Sequence, residues 1–381
     1  MKTVRFAIIG GGLMGREFAS AVARWPTLLD APAKIEIVAL ASRTPESFDW
    51  FTSNFPSIKQ TTTDWREVLK NDAVDAVYIA VPHDLHAETY VATIEAGRHL
   101  MGEKPFGIDQ RANSAILAAC RKHPDVFVRC SSEFPFYPGA QKVCDLIDAG
   151  AFGKIIEVKT GFLHSSDLDP NKPINWKRQI ATNGEYGCMG DLGMHVCHVP
   201  FRAGWMPTNV RAILSNIMPR RPDGKGNVVP CETWDNATLL SETRDASGNI
   251  FPWTLKTFRI APGERNTWYL EIYGTQASAR WSTREPKVLE ILKYTPGGDQ
   301  IWQRIQVGYE PPFKTITGAN FEFGFPDCFV QMWAAFLHEL VHGKPLKHFA
   351  GCVTPEETAM SHRLFTAALQ SQRDGAVVSI R

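Results

Sequence analysis

Several features that would mark other protein classes are missing from this 381-residue chain. Its eight cysteines include no CxxC pair, which argues against a zinc ribbon or a disulfide scaffold and favours reduced thiols. The formal net charge is only +1, so nothing in the charge balance favours nucleic acid or an anionic membrane surface as a partner. The N-terminal apolar run is broken by glycines and soon meets Arg16, and no other segment reaches transmembrane length. We expect a cytoplasmic protein whose partners are small molecules or copies of itself.

The first third of the chain alternates between two hydrophobic periods. The run VRFAIIG at residues 4–10 is typical of a strand buried on both faces, and the next residues carry a helical pattern. The same alternation returns through about residue 130. Strands separated by helices predict an α/β fold, with a parallel, doubly wound Rossmann sheet over residues 1–130.

The rest of the chain has a different pattern, and we assign residues 131–381 to a second domain. A helix and a strand, KIIEVKTGFLH at 154–164, are followed beyond residue 205 by spaced strand candidates without intervening helices. That succession predicts an α+β domain with a large, open, mostly antiparallel sheet. The end returns to helix, where Thr354 is the expected N-cap and Pro355 the first helical residue.

A glycine-rich turn follows the first strand. Gly10, Gly12 and Gly15 form GxGxxG at the start of a helix, where glycines permit a tight turn and let the backbone approach a pyrophosphate. Its position between strand and helix predicts dinucleotide binding, to which Leu13 and Met14 of the same turn contribute.

The end of the second predicted strand favours one form of the dinucleotide. Ser42 and Arg43 stand where an acidic residue would bind the ribose hydroxyls. A hydroxyl and a guanidinium bind a 2′-phosphate, which an aspartate would repel. We therefore favour NADP(H), and NAD(H) remains the alternative.

Polar residues also follow the fourth and fifth predicted strands. The fourth ends in VPHDLH and the fifth in GEKP, and ligands of an open parallel sheet lie beyond the carboxyl ends of its strands. The expected cofactor-binding residues here are Val81, Pro82, His86, Glu103 and Lys104.

The stretch GDLGMHVCHVP at residues 190–200 places three ionisable groups among small and apolar residues. On a helix, Asp191 and His195 would share a face. The three interpretations are a proton-handling site, a zinc site, and hydrogen-bonded core residues. The absence of HExxH speaks against zinc, so we predict no metal, and the core interpretation is preferred for His198 alone.

These motifs together resemble the glucose-fructose oxidoreductase, inositol dehydrogenase and rhizopine-catabolism family, written Gfo/Idh/MocA. The resemblance covers the whole chain. It implies hydride transfer between nicotinamide and a sugar or polyol carbon, with Lys104, Asp191 and His195 as the reacting site. Histidine suits proton transfer near neutral pH, Lys104 would steady the developing negative charge, and Asp191 would orient the imidazole or bind a hydroxyl. These groups are expected to meet at one face of the nicotinamide ring.

Two further residues, and two departures from the pattern of this family, concern the substrate. In the loop PINWKRQ, Trp176 is a candidate platform for a sugar face and Arg178 a candidate donor to a sugar hydroxyl. The other expected substrate-binding residues are Lys104, Asp191 and His195. Many relatives carry a basic residue where this chain has SSEFPFYP, with Glu133, and the usual glycine cluster before Asp191 has become NGEYGCMG.

Three functional hypotheses follow. The first is an NADP(H)-dependent oxidoreductase acting on a secondary hydroxyl or ketone of a sugar, glycoside or cyclic polyol. The second is a glycosidase that oxidises its sugar transiently and regenerates the nucleotide. The third is a sugar or dinucleotide sensor without turnover, which has no need for a proton acceptor. The open sheet needs a cover on its second face and therefore predicts a homodimer or homotetramer.

Overall fold

The computed structural model describes residues 1–380, which form two compact units. The first unit comprises Met1–Phe136 and Tyr309–Thr358, and the second comprises Tyr137–Gly308 and the chain from Ala359 onward. The sequence-based division at residue 130 placed all of the later chain in one domain, whereas the structure assigns residues 309–358 to the first unit.

The strands are numbered in chain order. They are β1 (Thr3–Ile9), β2 (Lys34–Ala41), β3 (Gln60–Thr62), β4 (Ala76–Ile79), β5 (His99–Gly102), β6 (Val128–Cys130), β7 (Ile155–Leu163), β8 (Met206–Pro207), β9 (Asn209–Ser215), β10 (Arg220–Pro222), β11 (Val228–Pro230), β12 (Asn236–Arg244), β13 (Ile250–Phe258), β14 (Thr267–Gly274), β15 (Ala277–Ser282), β16 (Val288–Lys293), β17 (Gln303–Gln306) and β18 (Val378–Ser379).

The α-helices are numbered in the same way. They are α1 (Leu13–Ala23), α2 (Phe48–Asn54), α3 (Arg66–Leu69), α4 (His86–Glu95), α5 (Gln110–Lys122), α6 (Pro138–Asp148), α7 (Ile180–Asn183), α8 (Cys188–Arg202), α9 (Phe325–His342) and α10 (Pro355–Asp374). No helix within residues 1–380 combines the length and apolar character that crossing a membrane requires.

The first unit is built on a parallel sheet with strand order β3-β2-β1-β4-β5-β6. This order reverses between β1 and β4, so a crevice opens at the carboxyl ends of those strands. The predicted Rossmann sheet is confirmed. No residues were assigned in advance to the short β3 and α3, because three or four residues are too few to show a period.

Aromatic packing explains why α9 belongs to the first unit. The ring centre of Trp333 of α9 lies 4.0 Å from that of Phe18, with the two rings tilted, and Trp333 packs edge-on against Phe6 and Tyr78. These residues are completely buried. A helix that is apolar on nearly every face must be covered on all sides, and the core of this unit supplies that cover for α9.

The second unit is built on a large sheet with strand order β17-β16-β15-β14-β7-β13-β12-β9-β18, and β8 pairs with β12. Its pairs are antiparallel except for β7 and β13, which run parallel from Trp253 opposite Val158 to Phe258 opposite Leu163. The predicted mostly antiparallel sheet is confirmed, and the parallel pairing of β7 with β13 was not predicted. Because β7 and β13 run parallel, their carboxyl ends lie side by side.

Helices cover one face of this sheet. Helix α8 packs on β7 and β13 and is buried from Cys188 to Phe201. The helix expected around residues 190–199 is therefore confirmed. The predicted cap of α10 is also confirmed: the amide of Glu357 donates to Thr354 Oγ1 at 3.2 Å, and the amide of Thr354 donates to Glu357 Oε2 at 2.8 Å.

Candidate active site

The glycine turn lies between β1 and α1 in the first unit. Gly10 has φ of +115°, and a Cβ there would come within 2.2 Å of the Ala80 carbonyl oxygen, so only glycine fits. A Cβ on Gly12 would meet no atom of residues 1–380 within 4 Å. Gly12 is the N-cap of α1 and offers no side-chain cap, so the first amides of the helix remain available to an anion. The turn therefore fits a pyrophosphate.

The other predicted residues of this turn differ in exposure. Gly15 is buried inside α1, Met14 is partly buried, and Leu13 is 72% exposed. Beside the turn, Ser42 Oγ lies 3.0 Å from where a Gly11 Cβ would stand, and Arg43 is exposed. A hydroxyl and a guanidinium thus follow β2 next to the glycine turn.

His86 lies at the start of α4 and joins two loops. Its Nε2 lies 3.2 Å from the carbonyl oxygen of Val81, and the amide of Gly107 donates to its Nδ1 at 3.4 Å. Since a carbonyl only accepts and an amide only donates, the ring carries its proton on Nε2. His86 is completely buried and stacks on Tyr90, whereas Val81 and Pro82 are partly exposed. His86 positions the loop rather than presenting an accessible surface.

Glu103 and Lys104 directly follow β5. Tyr78 donates to Glu103 Oε1 at 2.6 Å, and Tyr90 donates to the Glu103 carbonyl oxygen at 2.8 Å. Glu103 is buried, while Lys104 is partly exposed. The two tyrosines hold the backbone from which Lys104 projects.

Glu133 shares this region of the first unit. Burial, and next the charge of Glu103, raise the pKa of the Glu133 carboxyl to about 8, and Lys104 opposes the shift. Glu133 is thus a buried acid that tends to keep its proton at neutral pH.

In the second unit, Asp191 lies in the first turn of α8 between two cations. Lys177 Nζ donates to Asp191 Oδ1 at 2.9 Å, and the Arg259 guanidinium donates to Oδ2. Asp191 and Arg259 are buried, whereas Lys177 keeps 32% of its side chain exposed. Both carboxylate oxygens are thereby held in place by charge-assisted hydrogen bonds.

The pairing continues away from Asp191 as a buried charge network. Asp167 Oδ2 lies 3.6 Å from Arg259 Nη1 and 3.5 Å from Arg178 Nε. The Arg178 guanidinium also donates to Asp235, whose Oδ2 accepts hydrogen bonds from the backbone amides of Ile217 and Met218, just after β9. Arg178 is 1% exposed, so its guanidinium is committed to these carboxylates and stabilises the loop.

His195 lies one helical turn after Asp191 on α8. Its carbonyl oxygen accepts a hydrogen bond from Trp268 Nε1 at 2.9 Å, and its ring meets the ring of Phe162 edge-on at 5.6 Å. The position of His195 is therefore determined by its helix and by β7 and β14. His198, for which a core role was preferred, is 1% exposed, and burial moves its pKa well below the usual value.

The structure also connects Trp176 with this group. Lys177 Nζ lies 5.6 Å from the centre of the Trp176 ring, and the same ammonium binds Asp191. Trp176 is partly exposed. Its indole thus keeps some exposed surface beside the Lys177–Asp191 pair, whereas Arg178 is buried. Among residues 1–380, no group of three histidine, cysteine or acidic side chains is arranged to hold a metal ion.

Sequence reasoning missed three residues of this group: Lys177, Arg259 and His164. Lys177 stands between the two residues that were singled out in PINWKRQ. Arg259 and His164 each come directly after a strand, β13 and β7, and only the parallel pairing of those strands makes them neighbours. The available signal was an ionisable residue directly after a strand.

The fold and these side chains define a dinucleotide-dependent oxidoreductase. Residues 4–130 match the oxidoreductase family described as having an NAD-binding Rossmann fold, and residues 140–280 match the GFO/IDH/MocA C-terminal domain. The chain therefore belongs to the GFO/IDH/MocA family, and the expected membership is confirmed.

Similar proteins agree with this assignment. Levoglucosan dehydrogenase from Pseudarthrobacter phenanthrenivorans is 28% identical over 306 residues, which are 76% of each chain. The solved structure of a levoglucosan dehydrogenase in complex with NADH and L-sorbose is 23% identical and covers 100% of both chains with a TM-score of 0.88. An oxidoreductase domain protein from Kribbella flavida has a TM-score of 0.89 at 22% identity, again over 100% of both chains. At these identities the two structures show the shared fold.

Proposed function

We propose that this enzyme transfers hydride between NADP(H) and a secondary hydroxyl or ketone carbon of a sugar, glycoside or cyclic polyol. The observation that carries the proposal is the buried arrangement on α8, where Asp191 is held by Lys177 and Arg259 and His195 follows one turn later. The name of the similar levoglucosan dehydrogenase supports a carbohydrate substrate.

The proposed roles follow from which groups are already engaged. Both oxygens of Asp191 bind cations, so we assign the proton of the reacting hydroxyl to the imidazole of His195. Asp191 positions Lys177, whose ammonium is proposed to donate to substrate oxygens. The bound nicotinamide supplies the hydride acceptor or donor. Lys104 is proposed as a donor that stabilises negative charge on the reacting oxygen.

Two predicted substrate residues take different proposed roles. Trp176, partly exposed beside Lys177, is proposed as the platform on which a sugar face stacks. Arg178, predicted as a hydroxyl donor, is proposed instead as a positioning residue, because Asp235 and Asp167 occupy its guanidinium.

The preference for NADP(H) is supported by Ser42 and the exposed Arg43 beside the glycine turn. A fluorescence titration should give tighter binding of NADPH than of NADH, and R43A should reduce that preference by weakening the NADPH complex alone. Tighter binding of NADH by the wild type would overturn the preference. The similar levoglucosan dehydrogenase was solved with NADH, so the titration is decisive for this chain.

A substrate screen tests the reaction itself. Levoglucosan, free sugars, glycosides and inositols would each be incubated with both nucleotides, while nucleotide reduction and sugar products are followed together. We expect nucleotide reduction in proportion to oxidised sugar. Cleavage of a glycoside without net nucleotide change would favour the hydrolytic cycle, and binding without turnover would favour a sensor.

We also propose that the protein is located in the cytoplasm. All eight cysteines lie outside disulfide bonds in the structure, which supports the expected cytoplasmic location.

A further inference from the structure

His164 occupies the junction where two parallel strands end. It directly follows β7, and its amide donates to the carbonyl oxygen of Phe258, the last residue of β13, at 2.7 Å. Its own carbonyl oxygen accepts from the amide of Ala261 at 2.8 Å. The backbone of His164 is therefore held on both sides by the chain that leaves β13.

The imidazole of His164 lies among the residues proposed to bind substrate. Its ring centre lies 4.6 Å from that of Phe162, the same ring that His195 meets edge-on at 5.6 Å. The charges of Asp191, Arg259 and Lys177 all act on it. His164 is thus a further polar group beside Asp191, Lys177 and Arg259, which together form the Asp191 cluster. Its side chain is only partly buried.

One hydrogen bond determines the tautomer of His164. Its Nδ1 lies 2.9 Å from the carbonyl oxygen of Arg265. A carbonyl oxygen can only accept, so the proton of the neutral ring is on Nδ1 and the lone pair is on Nε2. Among residues 1–380, no donor forms a hydrogen bond with Nε2.

The ring is also held in its neutral form. Burial lowers the pKa of His164 to about 4, and Arg259 and Lys177 act in the same direction while Asp191 opposes them. At neutral pH His164 therefore offers an acceptor and not a third positive charge beside Arg259 and Lys177.

We propose that His164 Nε2 accepts a hydrogen bond from a hydroxyl group of the substrate other than the reacting one, which makes His164 a specificity-determining residue. This inference rests on the proposed sugar substrate. Lys177 offers donors and Asp191 is already paired, so Nε2 supplies the acceptor that a hydroxyl group needs from this cluster. A substrate with hydrogen or a ketone at that carbon leaves Nε2 unpaired and should be rejected.

Two variants separate this role from a structural one. In H164N the amide nitrogen can still donate to the Arg265 carbonyl, whereas no acceptor remains at the place of Nε2. In H164Q the longer side chain returns an amide oxygen toward that place. The matched readouts are the thermal unfolding temperature and NADPH affinity, which a substrate-binding role of His164 leaves unchanged.

The experiment measures kcat/KM for levoglucosan and for each of its monodeoxy analogues, or for the sugar that the screen ranks highest and its analogues. The wild type should lose at least about 10-fold in kcat/KM on one analogue. H164N should show a similar loss on the parent sugar, mainly through KM, and no further loss on that analogue, while H164Q should recover part of it.

The outcomes are distinguishable. A wild type that turns over no sugar would overturn the proposed function and this inference with it. A wild type that oxidises the sugar while H164N keeps its KM and its discrimination between parent and analogue would overturn this inference alone.

Discussion

At the scale of residues, the proposed acceptor of the hydroxyl proton depends on which side chains are already engaged. Asp191 and His195 lie one turn apart on α8, but Lys177 and Arg259 occupy both oxygens of Asp191. The sequence placed the two residues on one face of a helix and predicted proton transfer for His195, but it did not show that both oxygens of Asp191 are engaged. The cations that distinguish them come from distant segments, so no local pattern shows them.

Replacing His195 tests the assigned role. H195A should lower kcat by roughly 100-fold or more, because it removes the proposed proton acceptor while Asp191 keeps its partners. Steady-state kinetics on the best sugar would measure it.

The matched control is His198 on the same helix. H198A should lower the unfolding temperature, since it empties a buried site, yet keep the turnover of the folded protein within a few-fold. Equal activity losses in the two variants would contradict the assignment to His195.

Glu133 predicts a pH-dependent stability. The pKa of its carboxyl, about 8 in the folded protein, lies above the ordinary 4.5, so between these values the folded protein holds a proton that the unfolded chain releases. The stability linked to this proton is present at low pH and is lost as pH rises through that window, by roughly 1.4 kcal/mol per pH unit.

The variant E133Q keeps a neutral side chain at every pH. Its free energy of unfolding, measured by denaturation between pH 5 and 8, should therefore fall less steeply than that of the wild type. Parallel pH profiles of the two proteins would show that Glu133 does not hold this proton.

At the scale of elements, variants in the turn between β1 and α1 distinguish effects on folding from effects on cofactor binding. G12A should leave the unfolding temperature nearly unchanged, because the added Cβ meets no atom of residues 1–380 within 4 Å. It should weaken nucleotide binding at least about 10-fold, because the methyl group occupies the path of the pyrophosphate. Calorimetric titration with NADPH would measure this loss.

Gly10 provides the contrasting variant. G10A forces a positive φ on alanine and a contact of 2.2 Å with the Ala80 carbonyl oxygen, so it should destabilise the fold itself by several kcal/mol. If G12A bound NADPH as tightly as the wild type, the turn would not hold the pyrophosphate.

The strands β7 and β13 could be predicted from the sequence, but their pairing with each other could not. Both strands were expected from the sequence, and both exist as Ile155–Leu163 and Ile250–Phe258. Their parallel pairing joins segments almost a hundred residues apart, and hydrophobic alternation carries no information about the partner of a strand. His164 and Arg259 were missed for this reason.

At the scale of the whole molecule, the sheet of the second unit predicts self-association. Ile213 of β9 and Leu240 of β12 are 61% and 52% exposed on neighbouring strands, and Ile250 of β13 is 51% exposed. Apolar side chains that point away from the helices on a sheet face are covered best by a second copy of the same surface. We therefore expect a dimer or tetramer at micromolar concentration.

Light scattering of L240K tests this expectation. The variant should shift toward the monomer, since a buried lysine at the contact is costly. I316K, at an exposed isoleucine of the first unit, should leave the assembly unchanged. A wild type that is monomeric at micromolar concentration would refute the predicted oligomer.

The sequence by itself determined the class of fold, the glycine turn and the helix that carries Asp191 and His195. These are local properties: a period of two or of 3.6, a GxGxxG after a strand, and a spacing of four along one helix. The tertiary structure alone decided which charges meet. The cations on Asp191, the commitment of Arg178 to Asp235, the burial of Glu133 and the return of residues 309–358 to the first unit all depend on contacts between distant segments. Burial and pairing set the protonation and availability of a side chain, and neither is encoded by its immediate neighbours in the chain.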